Sequence, residues 1–309
     1  MGSLLPLRHL PGLCVLAALL LLMLPGSPAT AQEAYESKAA QAILIDARTG
    51  RVLFEKDADA LIPPASMSKL ATMTLVFEAL KAGKLKLDQE FKVSVDAWRR
   101  GGAVSGGSTM YAEVNSSIRL EDLIKGAIVH SANDACITIA EGMAGSESAF
   151  AQRMTERAHE LGAKTATFRN STGLPDPEHR MSVRDLSILA RHIIQDLPEY
   201  YKYYSIPEFT WNKIRQLNRN PLLKDYPGAD GMKTGYTKEA GYGLVGSATR
   251  DGRRLILVNA GLKSTAERKL EAQNLLDWGF RQFRTVDIYS KGDRVGHARV
   301  WGGKQRNVD

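Results

Sequence analysis

The stretch "GLVGSATRDGRRLILVNAGL", residues 243–262, holds two runs of β-type residues joined across Asp251-Gly252. An Asp-Gly pair suits the left-handed backbone of a two-residue hairpin turn, so the stretch predicts two antiparallel strands. Just upstream, "GADGMKTGYTKEAGYG" (228–243) enters the first of these strands. Downstream, "TAERKLEAQNLLDWGF" (265–280) is amphipathic at helical spacing from Glu267 to Phe280. Near the other end of the chain, "AILIDARTGRVLFEKD" (42–57) reads as a second hairpin turning at Arg48-Thr49-Gly50. The interval between the hairpins is helical in character. After Pro63-Pro64, the residues Leu70, Met73, Leu75, Val76, Phe77, Ala79 and Leu80 are apolar on nearly every side, which places that helix inside the domain. Leu120 to about Leu161 is rich in helix formers, and "MSVRDLSILARHII" (181–194) offers Ser182 as a cap with Asp185 three residues on. The order hairpin, helices, strands, helix predicts a mixed α/β fold in which a largely antiparallel sheet is covered by helices.

The 309 residues are 44% hydrophobic and 24% charged, a globular composition long enough for one large domain and part of another. The net charge of +7 comes without a basic block interleaved with aromatics, so no nucleic acid partner is expected. A mildly cationic surface instead suits an anionic cell envelope. Residues 1–31 combine Arg8 and His9, an apolar run from Leu13 to Leu24 and the ending Ala29-Thr30-Ala31. These are the parts of a secretory signal peptide cleaved before Gln32, and the apolar run is shorter than the ~20 residues of a membrane span. Cleavage would take Cys14 with it and leave Cys136 alone, without an internal disulfide. Beyond Phe283 the texture changes to "TVDIYSKGDRVGHARVWGG" (285–303), short alternating strands that cannot bury a core by themselves. The expected division is a signal peptide at 1–31, a main domain at 32–284 and, at 285–309, the start of a β-rich domain that this sequence leaves incomplete.

Three short motifs carry chemistry. "PPASMSKL" (63–70) sets Ser66 and Lys69 one helical turn apart at the mouth of the apolar helix. Taken alone, Ser66 is most cheaply a helix cap. A lysine at the end of a central helix, however, is costly to bury unless paired or neutralised, and a depressed pKa is what makes it a base for a nearby hydroxyl. "IVHSANDACI" (128–137) contains Ser131 and Asn133, which ordinary capping between two helices would also explain. Lys233-Thr234-Gly235 enters the strand region, where an exposed turn is the plain alternative. Each of the three patterns occurs once, and in this order they form a Ser-x-x-Lys, Ser-x-Asn, Lys-Thr-Gly set. Cys136, five residues past Ser131, reads as a buried apolar residue because no histidine motif accompanies it.

With these motifs the sequence resembles the D-alanyl-D-alanine carboxypeptidases among the low-molecular-mass penicillin-binding proteins. The resemblance runs from about Ala40 to the end and includes "PPASMSKL", "HSANDA", "NSTGLPDPEHRMSVRDL", "GMKTGYT", "LLDWGF" and "ARVWGG". It implies a β-lactamase/transpeptidase-like catalytic domain with a five-stranded antiparallel sheet, a second β domain and no metal or cofactor. The implied partners are peptidoglycan stem peptides ending in D-Ala-D-Ala, and β-lactams as inhibitors. The implied location is the periplasm or the outer face of the cytoplasmic membrane, with peripheral association through a C-terminal amphipathic anchor that this sequence lacks.

The residue types supply a mechanism. Ser66 attacks the scissile carbonyl while neutral Lys69 takes its proton. Ser131 relays a proton to the leaving amine, Asn133 binds the substrate amide, and Lys233 adds a second cation whose proximity would help depress Lys69. Gly235 suits a strand along which a substrate backbone passes closely. By resemblance, the backbone N–H of Tyr236 joins that of Ser66 in an oxyanion hole, and Thr234 and Arg268 hold the terminal carboxylate with Lys233. Arg268 is equally readable as a surface cation pairing with Glu267 or Glu271. The rival activities are endopeptidase action on cross-links and class A-like β-lactam hydrolysis, the latter disfavoured by Ala132 in the middle motif and by the lack of a Glu-x-x-Asn at the expected place after it. A catalytically silent envelope-binding protein would be expected to lose Ser66, Lys69 or Lys233, and all three are present.

Overall fold

The computed structural model describes residues 34–286 and, beyond them, 288–289, 292–296, 298–299, 301–302 and 307–308. The expected signal peptide lies outside the described residues. The two hairpins form one sheet. Strands β1 (Gln41–Asp46) and β2 (Val52–Lys56) pair with each other, and β7 (Ala229–Thr237), β8 (Gly241–Arg250) and β9 (Arg253–Leu262) complete an antiparallel order β2-β1-β9-β8-β7. Arg250 pairs with Arg253 across Asp251 (φ 51°) and Gly252 (φ 75°), the two-residue turn that the sequence predicts. Joining β1 to β9 across the ends of the chain leaves β7 as a free edge.

Alternation along the strands divides the interior in two. Ile43, Ile45, Val245, Ile256 and Val258 face the larger, helical core, whereas Ala42, Leu44, Leu244, Leu255 and Leu257 face a smaller one. The helices are α1 (Lys69–Lys81), α2 (Val95–Gly101), α3 (Leu120–Val129), α4 (Asn133–Ala144), α5 (Glu147–Glu160), α6 (Val183–Asp196), the single turns α7 (Pro198–Tyr201) and α8 (Leu222–Asp225), and α9 (Thr265–Gln282). Helix α9 covers the second face through Ala272, Leu275 and Leu276. On the first face α1 is central, as its all-round apolar sequence requires, with Leu70, Met73, Val76 and Phe77 fully buried. Phe77 stacks on Tyr200 at 5.2 Å and on Tyr203 at 6.2 Å, contacts worth about 0.5–1.5 kcal/mol each beyond burial. Ser182 and Asp185 form the predicted reciprocal cap of α6.

Two small sheets escape the sequence reading: β3 (Glu90–Lys92) with β4 (Ser117–Arg119), and β5 (Glu208–Trp211) with β6 (Ile214–Leu217). In the C-terminal segment, β10 (Ala298–Arg299) pairs with β11 (Asn307–Val308).

Candidate active site

Ser66 is not a helix cap. Ala65–Ser68 forms a 3₁₀ turn leading into α1, Pro64 precedes it, and no side chain caps either helix. Ser66 is half-buried, and its Oγ lies 3.0 Å from Lys69 Nζ. Ala65, immediately before it, is held at φ 49°, a left-handed conformation that a side chain adopts at some cost in strain.

Lys69 is 1% exposed, with three neighbours around its nitrogen: Ser66 Oγ, Asn133 Oδ1 at 2.8 Å and the Thr172 carbonyl at 2.5 Å. A neutral amine has two hydrogens and one lone pair. Asn133 Oδ1 and Thr172 O can only accept, so both hydrogens go to them and the lone pair is left facing the Ser66 hydroxyl. Burial pulls the Lys69 ammonium down to about 8, with Arg219 adding to the fall and Cys136, Glu147 and Asp134 opposing it. Arg219 thus joins Lys233 as a cation coupled to Lys69. Lys233 is itself held well below its ordinary range, by burial first and then by Lys69 and Arg219.

Ser131 and Asn133 are not ordinary caps either. Ser131 sits in the break between α3 and α4 at φ 64°, 2% exposed, and its Oγ has no hydrogen-bond partner among the described residues. Asn133 opens α4, donates its backbone N–H to Ser108 O at 2.7 Å and gives its side-chain oxygen to Lys69. That leaves the Asn133 amide N–H₂ as the group able to meet a substrate carbonyl.

Lys233, Thr234, Gly235 and Tyr236 lie on edge strand β7, alongside the serine turn. The turn alternative for Lys233-Thr234-Gly235 is therefore set aside. A Cβ on Gly235 would stand 2.9 Å from Pro64 O and 3.0 Å from Met67 Cγ, so the backbone it lets approach is the serine turn of its own chain. Tyr236 is exposed and stacks on Tyr242 at 4.3 Å.

Arg268 is not a surface cation. It is 7% exposed and lies over the Tyr242 ring at 5.6 Å, with Nη1 3.5 Å from Gly235 O. Glu271 is occupied by Ser37 (2.6 Å) and Tyr35 (3.0 Å), and Glu267 accepts from Lys263 N at 2.7 Å. Burial lowers the Arg268 guanidinium to about 10; Tyr242 opposes the fall and Arg219 adds to it. Ser66, Ser131, Thr234, Gly235, Arg219 and Arg268 all line one cleft of about 420 Å³.

Arg219 was missed in the sequence. Its Nη1 donates to Ser108 Oγ at 2.6 Å and its Nη2 meets His130 Nε2 at 3.2 Å. Cys136 is fully buried and burial pushes its thiol up to about 11, which matches a packing role.

A sequence profile described as D-alanyl-D-alanine carboxypeptidase matches residues 28–264. The chain belongs to this family. D-alanyl-D-alanine carboxypeptidase DacC of Escherichia coli K12 is 41% identical over 304 residues, covering 97% of this chain and 76% of the relative. Penicillin binding protein 5 from Haemophilus influenzae superposes with a TM-score of 0.84 at 38% identity, covering 89% of this chain and 80% of that one. More distant is a D-alanyl-D-alanine endopeptidase of Pseudomonas aeruginosa, 29% identical over 242 residues and covering 74% of each chain. As a D-alanyl-D-alanine carboxypeptidase family member the chain is a serine-type hydrolase with the penicillin-binding fold, its five-stranded antiparallel sheet included.

Proposed function

We propose that the chain removes the terminal D-alanine from peptidoglycan stem peptides through an acyl-enzyme on Ser66. The observation that carries the reading is the Lys69 nitrogen, buried, lowered to about 8 and lying 3.0 Å from Ser66 Oγ. Ser66 Oγ attacks the carbonyl carbon of the penultimate D-alanine, and its proton passes to Lys69. The oxyanion meets the backbone N–H groups of Ser66 and Tyr236, donors of a kind worth about 3–4 kcal/mol each. Collapse breaks the C–N bond, and the proton taken up by Lys69 passes through the Ser131 hydroxyl to the leaving amine, which returns Lys69 to its neutral form. Free D-alanine departs, and water, deprotonated by Lys69, cleaves the ester.

Carboxypeptidase action is favoured over endopeptidase action by the positive charge of the cleft. Arg219 and Arg268 line it together with Thr234, Lys233 is buried next to Thr234, and none of the three has a carboxylate partner among the described residues, so a free C-terminal carboxylate would complete the site. β-Lactams acylate the same serine in this reading, as suggested by a neighbour, penicillin-binding protein D2 of Listeria monocytogenes in its ampicillin-bound form, 29% identical with a TM-score of 0.69. The protein would be exported, with its catalytic domain at 32–284 and a second β domain beginning at 285, and any membrane attachment would be peripheral. No helix among the described residues is long and apolar enough to cross a membrane.

Product analysis on three substrates tests the proposal: a pentapeptide acid, its C-terminal amide and a cross-linked dimer. The acid should release D-alanine, and the amide should lose on the order of 10²-fold in kcat/KM. Arg268→Ala should show a similar defect on the acid and little further loss on the amide, because both changes remove one interaction. Comparable cleavage of acid and amide, or of the dimer, would move the endopeptidase reading ahead.

A further inference from the structure

One of the two acceptors that orient Lys69 is a backbone carbonyl, Thr172 O, and the turn that carries it has an ionic anchor of its own. Glu147, the first residue of α5 and 8% exposed, accepts both Ser171 N–H (2.9 Å) and Ser171 Oγ–H (2.6 Å) through Oε1. Its Oε2 lies 2.8 Å from Arg100 Nη2 on α2. Two further ties hold the same turn. Asn170 Oδ1 accepts from Thr172 N (3.1 Å), Thr172 Oγ1 (2.9 Å) and Gly173 N (2.8 Å). Thr72, one helical turn along α1 from Lys69, donates its hydroxyl to Ser171 O at 2.7 Å. Residues 170–173 are thereby fixed to the helix that carries Lys69 and, through Glu147, to α5 and α2.

We propose that Glu147 is a positioning residue for Lys69, acting through Ser171 to fix the Thr172 carbonyl that takes one amine hydrogen and so keeps the lone pair on Ser66. The inference rests on the reading of Lys69 as the base. A nitrogen at the end of four rotatable bonds needs two fixed acceptors to hold one orientation, and Asn133 supplies only one of them. Glu147 has a second, separable effect through its charge. Lys69 is also faced by Cys136 and Asp134 from α4, by Arg219 and Lys233 across the cleft, and by His179 from the segment before α6. Cys136, Glu147 and Asp134 all favour the protonated amine, and Arg219 opposes it.

Substitutions separate the two effects. Glu147→Gln retains an oxygen acceptor for Ser171 but removes the charge, whereas Glu147→Ala removes both. The measurement is the rate of Ser66 acylation by a chromogenic cephalosporin as a function of pH. Acylation requires neutral Lys69, so the rate rises with pH through the Lys69 midpoint. Removing a nearby negative charge makes the ammonium less stable and moves that limb to lower pH. Glu147→Gln should therefore retain a plateau within about threefold of the unaltered chain. Its rate on the acid limb, relative to that plateau, should rise on the order of twofold. Glu147→Ala should show the same limb shift with a plateau lowered about tenfold or more. Should the alanine variant not fold, Ser171→Ala provides the second arm, with a lowered plateau and an unmoved limb. A Glu147→Ala plateau within threefold of the Glu147→Gln plateau overturns the inference, and so does a limb left in place in both Glu147 variants. Its failure is distinguishable from failure of the functional reading: D-alanine release by the unaltered chain together with either of these results sinks only the Glu147 role, whereas no D-alanine release sinks the reading beneath it.

Discussion

Lys69 shows how much chemistry one buried nitrogen can take from its neighbours. Two of them can only accept, and the third is the nucleophile, so the same contacts that satisfy a neutral amine also aim its lone pair. Lys69→Arg should fold, yet its acylation by penicillin should fall on the order of 10³-fold, because a guanidinium stays protonated at any working pH and has no lone pair to offer. Acylation by the arginine variant within tenfold of the unaltered chain would remove Lys69 from the base role. At this scale the sequence was legible where a function needs a fixed run of side chains, as at Ser66, Lys69, Ser131, Asn133 and Lys233. It was silent where the backbone acts, since any residue at position 172 would offer the same carbonyl. Arg219 was hidden for another reason: its partners Ser108 and His130 lie about a hundred residues away in the chain, and the second arginine of "RQLNRNP" carries no signal of them.

Between residue and molecule, the segment from Gly102 to Ala112 decides how well one wall of the cleft is held. It carries Ser108 and is fastened by Asp134, a fully buried carboxylate that accepts from Thr109 Oγ1 (2.6 Å), Met110 N (3.0 Å), Ala112 N (3.1 Å) and Ala135 N (3.0 Å). Asp134→Asn would turn an N–H₂ group toward these donors. The expected cost is about 2–3 kcal/mol. That corresponds to a fall in Tm of roughly 4–12 °C in a domain of this size. A thermal melt checks it, and an unchanged Tm would show that the segment is held by other contacts. Long elements were legible from sequence because their patterns repeat over several turns, as in α1, α6 and α9. Strands β3 to β6 were not, since three or four residues contain too little alternation to separate a strand from a loop. The conformation of Ser131 was not legible for a related reason: its neighbours are helix formers on both sides, and nothing local marks the φ of 64° it takes between α3 and α4.

At the scale of the whole molecule, the antiparallel order β2-β1-β9-β8-β7 brings residues far apart in the chain into one cleft. It leaves Lys233 to Tyr236 on an open edge while α1 lifts Ser66 beside it, and the buried face of the sheet holds both in place. Gly235 sits where strand and serine turn press together, so the motif in the strand serves the packing of the serine turn. The mixed, antiparallel architecture followed from two hairpins and the helices between them. Which strand would be the free edge did not, because that depends on β1 pairing with β9 across more than two hundred residues. The central claim is that this architecture makes Ser66 the nucleophile. Incubation with benzylpenicillin, followed by intact mass and peptide mapping, tests it most directly. A single penicilloyl adduct on the peptide that contains Ser66, absent from Ser66→Ala, is the predicted result; an adduct on Ser131 or Cys136 with Ser66 unmodified would contradict it.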